Sequence, residues 1–479
     1  MPGILDNNLR RIGWLFTLCV AWGLILPVLM AKGMFSDAVL YAAVAHNMAK
    51  GIGSFWFPFF DTYNVIGISS FHEQPPLAFG IESIFFRILG DSDLVERFYT
   101  FLLLGIHMIL IAGMWKTMTK KVGGFESVSW LPVLFWITIP VCFWSFSNNM
   151  NENTMGVFDV LAVWLAWIFM KNKSAADGFL SAICIVLAAL SKGFPGLFPL
   201  AVPAIYWIVY REGGMGYAIR KSAFLFGIVL IVFLLVLLYE PARDSLSIYL
   251  FQRAFQRISD AHTVQSRYFI LIRLFTELLP MMAVAVLFWS GFKLRRVSFS
   301  IPFGKESLFF LLCGLSGTLP LMLTLVQNGF YMVHALFCFG LSAAFLLAVP
   351  VQRLCAGLVE KHARPLFVLF TLILGSIVLF SFSRRNSYSR NKELLTDIEI
   401  LAKHIPPGSR MWVSDAVYEN WSLSNYLVRF HQLSVASYHR EKKPGPYFLT
   451  LPQELPPAEY HYVKQTLPLT QFDLYRETK

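Results

Sequence analysis

Charge is scarce in this chain. Asp, Glu, Lys and Arg make up 14% of its 479 residues, and hydrophobic residues 56%. A soluble globular protein carries about a quarter charged residues. The scarcity puts the chain on the membrane side of that line, with a core that is largely a helix bundle in lipid. Cysteine is sparse too. Five of the six (Cys19, Cys142, Cys184, Cys313 and Cys338) lie inside apolar runs, Cys355 sits just past one, and none has CxxC spacing. That pattern indicates neither a disulfide framework nor a metal site. No internal repeat, low-complexity tract, zinc-finger or helicase-type signature occurs. The net charge is +11, but the basic residues are spread between apolar runs. They read as topology signals and headgroup anchors, and nucleic acid is not an expected partner.

Long apolar runs are plentiful. A hydrocarbon core needs ~20 apolar residues per helix, and about eleven segments fit: roughly 12–31, 97–115, 128–146, 154–170, 176–191, 194–210, 222–239, 268–290, 307–326, 330–350 and 366–382. The runs 176–191 and 194–210 are short and separated by SKGFPG, which suits either two spans or a re-entrant pair. The first run follows Arg10 and Arg11 but is long for a signal peptide and lacks a small-residue cleavage site, so it reads as an uncleaved span. Lys and Arg gather in alternate loops (Lys116/Lys120/Lys121, Arg211/Arg220/Lys221, Lys293/Arg295/Arg296), whereas 147–153 and 327–329 hold none. The basic side is then cytoplasmic, with the N-terminus inside and the segment Ser36–Arg97 outside. Residues 384–479 turn polar, with short alternations (MWVSD, LSVAS) and one helical period (NKELLTDIEILAKHI) ending at Pro406-Pro407-Gly408. They read as a small extracytoplasmic α/β domain on a transmembrane region, 1–383.

Several residues in this frame suit chemistry. Asp37 lies just past the first span, and Ala38–Lys50 has a helical apolar period carrying Tyr41, His46 and Asn47. A helix lying in the interface would hold the Asp37 carboxylate near the headgroups, where it can orient and deprotonate a hydroxyl or amine; the alternative is a plain solvated acid. His72-Glu73-Gln74 precedes Pro75-Pro76, a rigid corner that suits ligand contact or a solvated turn. Glu152, in the sequence NNMNEN, stands at a helix start, either as a dipole-stabilised cap or as a second carboxylate. Lys192 sits in apolar sequence, at a cost of ~2.5–3.5 kcal/mol at a helix centre. It either snorkels or offers a cation to a phosphate at a broken helix. The loop 241–267 adds Arg253 and Arg257, four apart on one helix face, and His262. Cations there run against the positive-inside trend, so anionic headgroups or a lipid-linked phosphate would balance them. Gln327–Tyr331 and His334 read as packing or lipid-facing residues.

Together these features resemble the membrane-embedded glycosyltransferases of the C-type fold, in the bacterial branch related to the protein O-mannosyltransferases and the lipid A aminoarabinose transferase. The resemblance runs from about residue 12 to about 350. It rests on Asp37 after the first span with Tyr41 and His46-Asn47-Met48, on Pro75-Pro76-Leu77, on Gly90-Asp91-Ser92 with Arg97, on Leu190–Gly193, and on the basic loop with His262. It implies a polyprenyl-phosphate sugar donor, an acceptor (lipid, glycan or protein) on the outer face and transfer with inversion. It makes Asp37 the main catalytic acid/base, Glu152 its support, and Lys192 a donor-phosphate contact, with Arg253 and Arg257 beside it. Tyr41, His46, His72, Glu73, Gln74 and His262 are candidate substrate contacts. The sequence departs from the pattern at Ala38, Leu40 and Gln74, where the family often has Glu, Arg and Lys; two cationic contacts are thus displaced. No metal-ligand cluster is predicted. The expectation is an all-α polytopic membrane bundle with interfacial helices in the first outer loop, a small C-terminal α/β domain, and polyprenyl-phosphate-dependent glycosyltransferase activity in the cytoplasmic (inner) membrane. A transporter or flippase of a lipid-linked sugar, or a membrane scaffold, are the alternatives.

Overall fold

Backbone groups in lipid have no water to bond to, so apolar runs this long must become helices. A computed structural model describes residues 2–62, 70–172, 174–255, 263–293, 301–438 and 445–478. The helices in chain order are α1 (Pro2–Met30), α2 (Ser36–Ala49), α3 (Leu77–Leu89), α4 (Val95–Thr119), α5 (Leu131–Ile137), α6 (Pro140–Ser147), α7 (Asn151–Asn172), α8 (Ala175–Lys192), α9 (Val202–Tyr210), α10 (Gly214–Leu238), α11 (Glu240–Tyr249), α12 (Phe269–Lys293), α13 (Gly304–Thr318), α14 (Leu336–Ser383), α15 (Lys392–His404), α16 (Asp415–Tyr418) and α17 (Trp421–His431). The strands are β1 (Arg410–Val413), β2 (Ser434–Ser437), β3 (Tyr447–Thr450), β4 (Tyr462–Lys464) and β5 (Asp473–Glu477). The polypeptide forms two compact units: 1–30 with 100–383, and 31–99 with 384–479.

In the first unit, eight helices among the described residues are long and apolar enough to cross a membrane, or nine with one bent pair. The eleven apolar segments of the sequence map onto these and onto two irregular cases. The run 194–210 splits into a 3₁₀ stretch, Phe194–Ala201, and the short α9. The last two runs merge into α14, which at 48 residues would be roughly 72 Å long, more than twice a hydrocarbon core of about 30 Å. It breaks at His362, whose φ of −132° is not helical. Its second half lies parallel to α1, with Phe370 against Phe16 and Ile377 facing Gly23. The bent pair is α5 and α6, which meet at 82°. Pro140 causes the bend: it holds Ile139 extended (φ −74°, ψ 119°) and starts a new helix. That helix has orphan N–H donors in its first turn. Glu277 of α12 satisfies one of them, its Oε2 accepting from Val141 N–H at 2.7 Å, while Oε1 pairs with Arg273 at 2.5 Å.

Lipid is as apolar as leucine, so these helices are held by close packing more than by a hydrophobic drive. The interior is accordingly aromatic. Trp136 stacks on His107, Phe345 on Trp115 and Phe310 on Phe345.

In the second unit the five strands form one sheet in the order β2-β1-β3-β5-β4. β1 pairs in parallel with β2 and β3, whereas β5 is antiparallel to β3 and β4. The three strands at the β2 side are buried along nearly their whole length, as a sheet covered on both faces must be. The expected helical period becomes α15. Its Asp397 is fully buried and accepts from the amides of Thr470 and Gln471 at 2.7–3.1 Å and from the Thr470 hydroxyl, which ties the last loop to the helix. The helix expected after Asp37 is α2. Ten of its fourteen residues are buried, so the apolar period is covered by protein, chiefly by α3 and α17 of the same unit.

Candidate functional site: a charged pair at the head of an apolar cavity

The first unit's site begins with a helix stop. α8 ends at Lys192 because Gly193 has φ +96° and ψ −148°, a conformation that excludes an L side chain. A Cβ on Gly193 would also fall 1.9 Å from the Tyr249 hydroxyl. The stop leaves Lys192 at the end of a span, and α7 brings Glu152 to it from its own first turn. Lys192 Nζ lies 3.0 Å from Glu152 Oε1, with side-chain exposures of 8% and 0%. The Lys192 ammonium also stands 5.9 Å from the centre of the Tyr331 ring, within cation–π reach.

This pair lines a cavity of about 460 Å³. Its lining combines polar side chains, Glu152, Lys192, Tyr249 and Tyr331, with apolar ones such as Phe194, Phe198, Leu321 and Val326. A buried ion pair is weak evidence of stabilisation, because desolvating both charges offsets most of their attraction. Such a pair can hold a cation, already desolvated and oriented, beside the apolar walls of the cavity. Arg253 lies in the π-helical turn Leu250–Ala254, partly exposed, next to the cavity-lining Ala254. Arg257 and His262 lie outside the described residues.

Asp37 belongs to the second unit, half-buried in the first turn of α2, where the helix dipole favours its charge. The candidates around it are built into the fold. Tyr41 is buried and accepts from Gln74 Nε2 at 2.6 Å. His72 is buried, shares a hydrogen bond with Ser70 and packs edge-on to Phe57. Glu73 is half-buried. His46 bonds to Asp91 at 3.0 Å, and Asp91 also takes Lys50 at 2.8 Å. The structure thus brings together Glu152 with Lys192, Tyr41 with Gln74, and His46 with Asp91.

Burial is the main reason His46 has its pKa pushed down from 6.5 to about 4, reinforced by Arg429 and Lys50 against the hydrogen bond it makes to Asp91. A neutral native histidine gives a definite sign. Between pH 6.5 and about 4 the unfolded chain binds the proton and the native chain does not, so stability is full above 6.5 and falls as pH drops. Asp91, held below the usual carboxylate range first by Lys50, loses its contribution only at lower pH. Thermal unfolding of the full chain followed from pH 7.5 to 4.5 should show this loss, and His46→Gln should flatten it. Parallel curves for the two proteins would show that His46 is not the group responsible.

Other residues at these places carry weak sequence signals. Tyr249 and Tyr331 are aromatics among apolar residues, with Phe251 and Phe330 close by in the sequence. Gln327, read as packing or lipid-facing, is a buried hydrogen-bond hub that accepts from Ile270 N–H and donates to the carbonyls of Arg267, Leu321 and Thr324. Asp159 lies fully buried seven residues beyond Glu152 on α7. An acid inside an apolar run was its visible signal. Among the described residues, no group of three or more His, Cys, Asp or Glu is placed to hold a metal.

Residues 73–239 match the family model for dolichyl-phosphate-mannose-protein mannosyltransferases. No curated protein sequence matches the chain. Among solved structures, ArnT from Cupriavidus metallidurans bound to undecaprenyl phosphate is similar at a TM-score of 0.65 and 12% identity, over 96% of this chain and 97% of that one. The same protein in its apo state gives 0.62 and 13%, over 95% of each. The chain is therefore an integral membrane protein with the ArnT-like, C-type glycosyltransferase fold that the sequence resemblance implied, and its residues 73–239 match the mannosyltransferase family model.

Proposed function

We propose that this protein is a glycosyltransferase that moves a sugar from a polyprenyl-phosphate carrier to a lipid, glycan or protein acceptor at the outer face of the cytoplasmic membrane. The observation that carries the reading is the Glu152–Lys192 pair in the lining of an apolar cavity, a combination suited to a phosphate joined to a prenyl chain. The match of residues 73–239 to the mannosyltransferase family model and the likeness to a structure holding undecaprenyl phosphate support it. The distribution of Lys and Arg supports a cytoplasmic N-terminus and an outer C-terminal domain, 384–479.

In this reading the carrier phosphate takes Lys192, with Arg253 near it, and the prenyl chain follows the apolar walls. Asp37 takes the proton of the acceptor hydroxyl or amine. The acceptor atom forms the new bond to the anomeric carbon from the face opposite the phosphate. The carbon–oxygen bond to phosphate breaks with its electron pair, releasing polyprenyl phosphate. The cation stabilises the charge that develops on the leaving oxygen, and inversion follows from single displacement.

The test uses the full chain in lipid with undecaprenyl phosphate linked to radiolabelled mannose, glucose, galactose or 4-amino-4-deoxyarabinose, and a total membrane-lipid and glycan extract. Label should leave one carrier and enter one acceptor, and the product identifies that acceptor. Folded protein that releases label from none of the four in the presence of the extract would contradict the proposal for these donors and favour a flippase.

A further inference from the structure

α2 starts without a cap of its own. Phe35 stands at the N-cap position and offers no side-chain acceptor, so the N-cap residue gives no side-chain capping bond to the first turn, which contains Asp37. Restraint comes from the far end of the chain. Tyr426 of α17 brackets Met34 with a single hydroxyl, accepting from Met34 N–H at 2.7 Å and donating to Met34 C=O at 2.8 Å. Asn425 Nδ2 donates to the carbonyl and the hydroxyl of Ser36 at 3.0 and 2.9 Å. Met34, Asn425 and Tyr426 are all buried.

The residues just before are tied as well. Lys32 N–H donates to Ser387 C=O, and Ser389 N–H to Lys32 C=O, both at 2.8 Å. The Ser389 hydroxyl donates to Gly33 C=O at 2.7 Å. Gly33 has φ +96°, and a Cβ there would meet the Arg390 carbonyl oxygen at 2.6 Å. The other end of α2 is held through the same helix. Arg429, one turn past Asn425, donates to Ser92 C=O at 3.0 Å and to the Asp91 carbonyl, and pairs with buried Glu96 at 2.8 Å. Asp91 in turn takes His46 and Lys50 from the last turn of α2.

We propose that α17 is a clamp that positions Asp37, with Asn425 and Tyr426 as positioning residues that fix the start of α2 and Arg429 bracing its end. The inference rests on the reading of Asp37 as the catalytic acid/base. It assigns the C-terminal segment a role in the rate of the chemical step and none in binding the donor. A displacement of about 1 Å in a catalytic group costs on the order of a hundredfold in rate, so a loosened first turn acts on kcat.

Tyr426→Phe tests this, because it keeps the ring and removes both bonds to Met34; Asn425→Ala is the second variant, should the first fail to fold. The full chain is assayed in lipid with whichever of the four labelled undecaprenyl-phosphate sugars the wild type cleaves, and hydrogen exchange is read at the amides of Met34 to Ala38. Tyr426→Phe should speed exchange at Met34 and lower kcat about tenfold to a hundredfold, with the KM for the donor unchanged. Exchange as in the wild type overturns the clamp. Faster exchange with wild-type kcat, while Asp37→Asn is inactive in the same assay, also overturns the clamp and leaves the Asp37 reading standing. An Asp37→Asn protein as active as the wild type removes the reading and the inference with it.

Discussion

Lys192→Met should lower sugar transfer about a hundredfold to a thousandfold and destabilise the membrane unit, and the added change Glu152→Gln should recover most of the stability but none of the activity. That split is the expected result because the two effects have separate causes. Glu152 is fully buried with the Lys192 ammonium 3.0 Å away. Removing one partner of a buried ion pair costs about 3–5 kcal/mol, mostly through the charge left behind, whereas replacing both with neutral groups is close to neutral. Transfer is different. A cation at the leaving phosphate is worth about a hundredfold to a thousandfold when it acts on charge that appears only in the transition state, and glutamine at 152 does nothing to replace it. The checks are thermal unfolding in lipid and label release from the carrier for the single and double variants. A double variant with restored transfer would show that Lys192 serves only to neutralise Glu152.

The second large effect is at Asp37. Asp37→Asn should lower kcat by about 10²–10⁴-fold, the usual worth of a positioned general base, while the unfolding temperature barely moves. The small stability change follows from its setting. Asp37 is half-buried in the first turn of α2, where a favourable charge–dipole interaction contributes about 0.3–1 kcal/mol. Asparagine keeps the shape and much of the hydrogen-bonding capacity but cannot take a proton. Rate and stability measured on one preparation separate the chemical role from a structural one; loss of both together would mark Asp37 as part of the scaffold.

How much of this was legible in the sequence depends on whether a feature breaks a local pattern. Glu152 and Lys192 both do: an acid at the head of a span, and a lysine beside Gly193-Phe194-Pro195. Each was visible alone, but their pairing was not, since it depends on α7 and α8 being neighbours of the right length. The strands at MWVSD and LSVAS and the helix at 392–404 were visible from period and turn residues. The number of spans was less so. A window of apolar residues measures length and composition, and it does not register the 3₁₀ stretch after Gly193, the bend at Pro140 or the break at His362. The surroundings of α2 were least visible. Its apolar period reads as an interfacial helix because the helix that covers it, α17, lies 389 residues further along at the Asn425–Ser36 contact. Nothing near Ser36 announces that partner. Asn425, Tyr426 and Arg429 look like an ordinary amphipathic helix until their bonds are seen.

Breakage of a carbon–oxygen bond at the carrier can be followed in reconstituted vesicles. The purified chain is placed in vesicles with the labelled donor lipid and its acceptor, and the lipid products are separated. Free undecaprenyl phosphate should appear in step with glycosylated acceptor, and both should be lost in Asp37→Asn and in Lys192→Met. Intact donor that crosses to the other leaflet, with no undecaprenyl phosphate formed, would contradict glycosyl transfer.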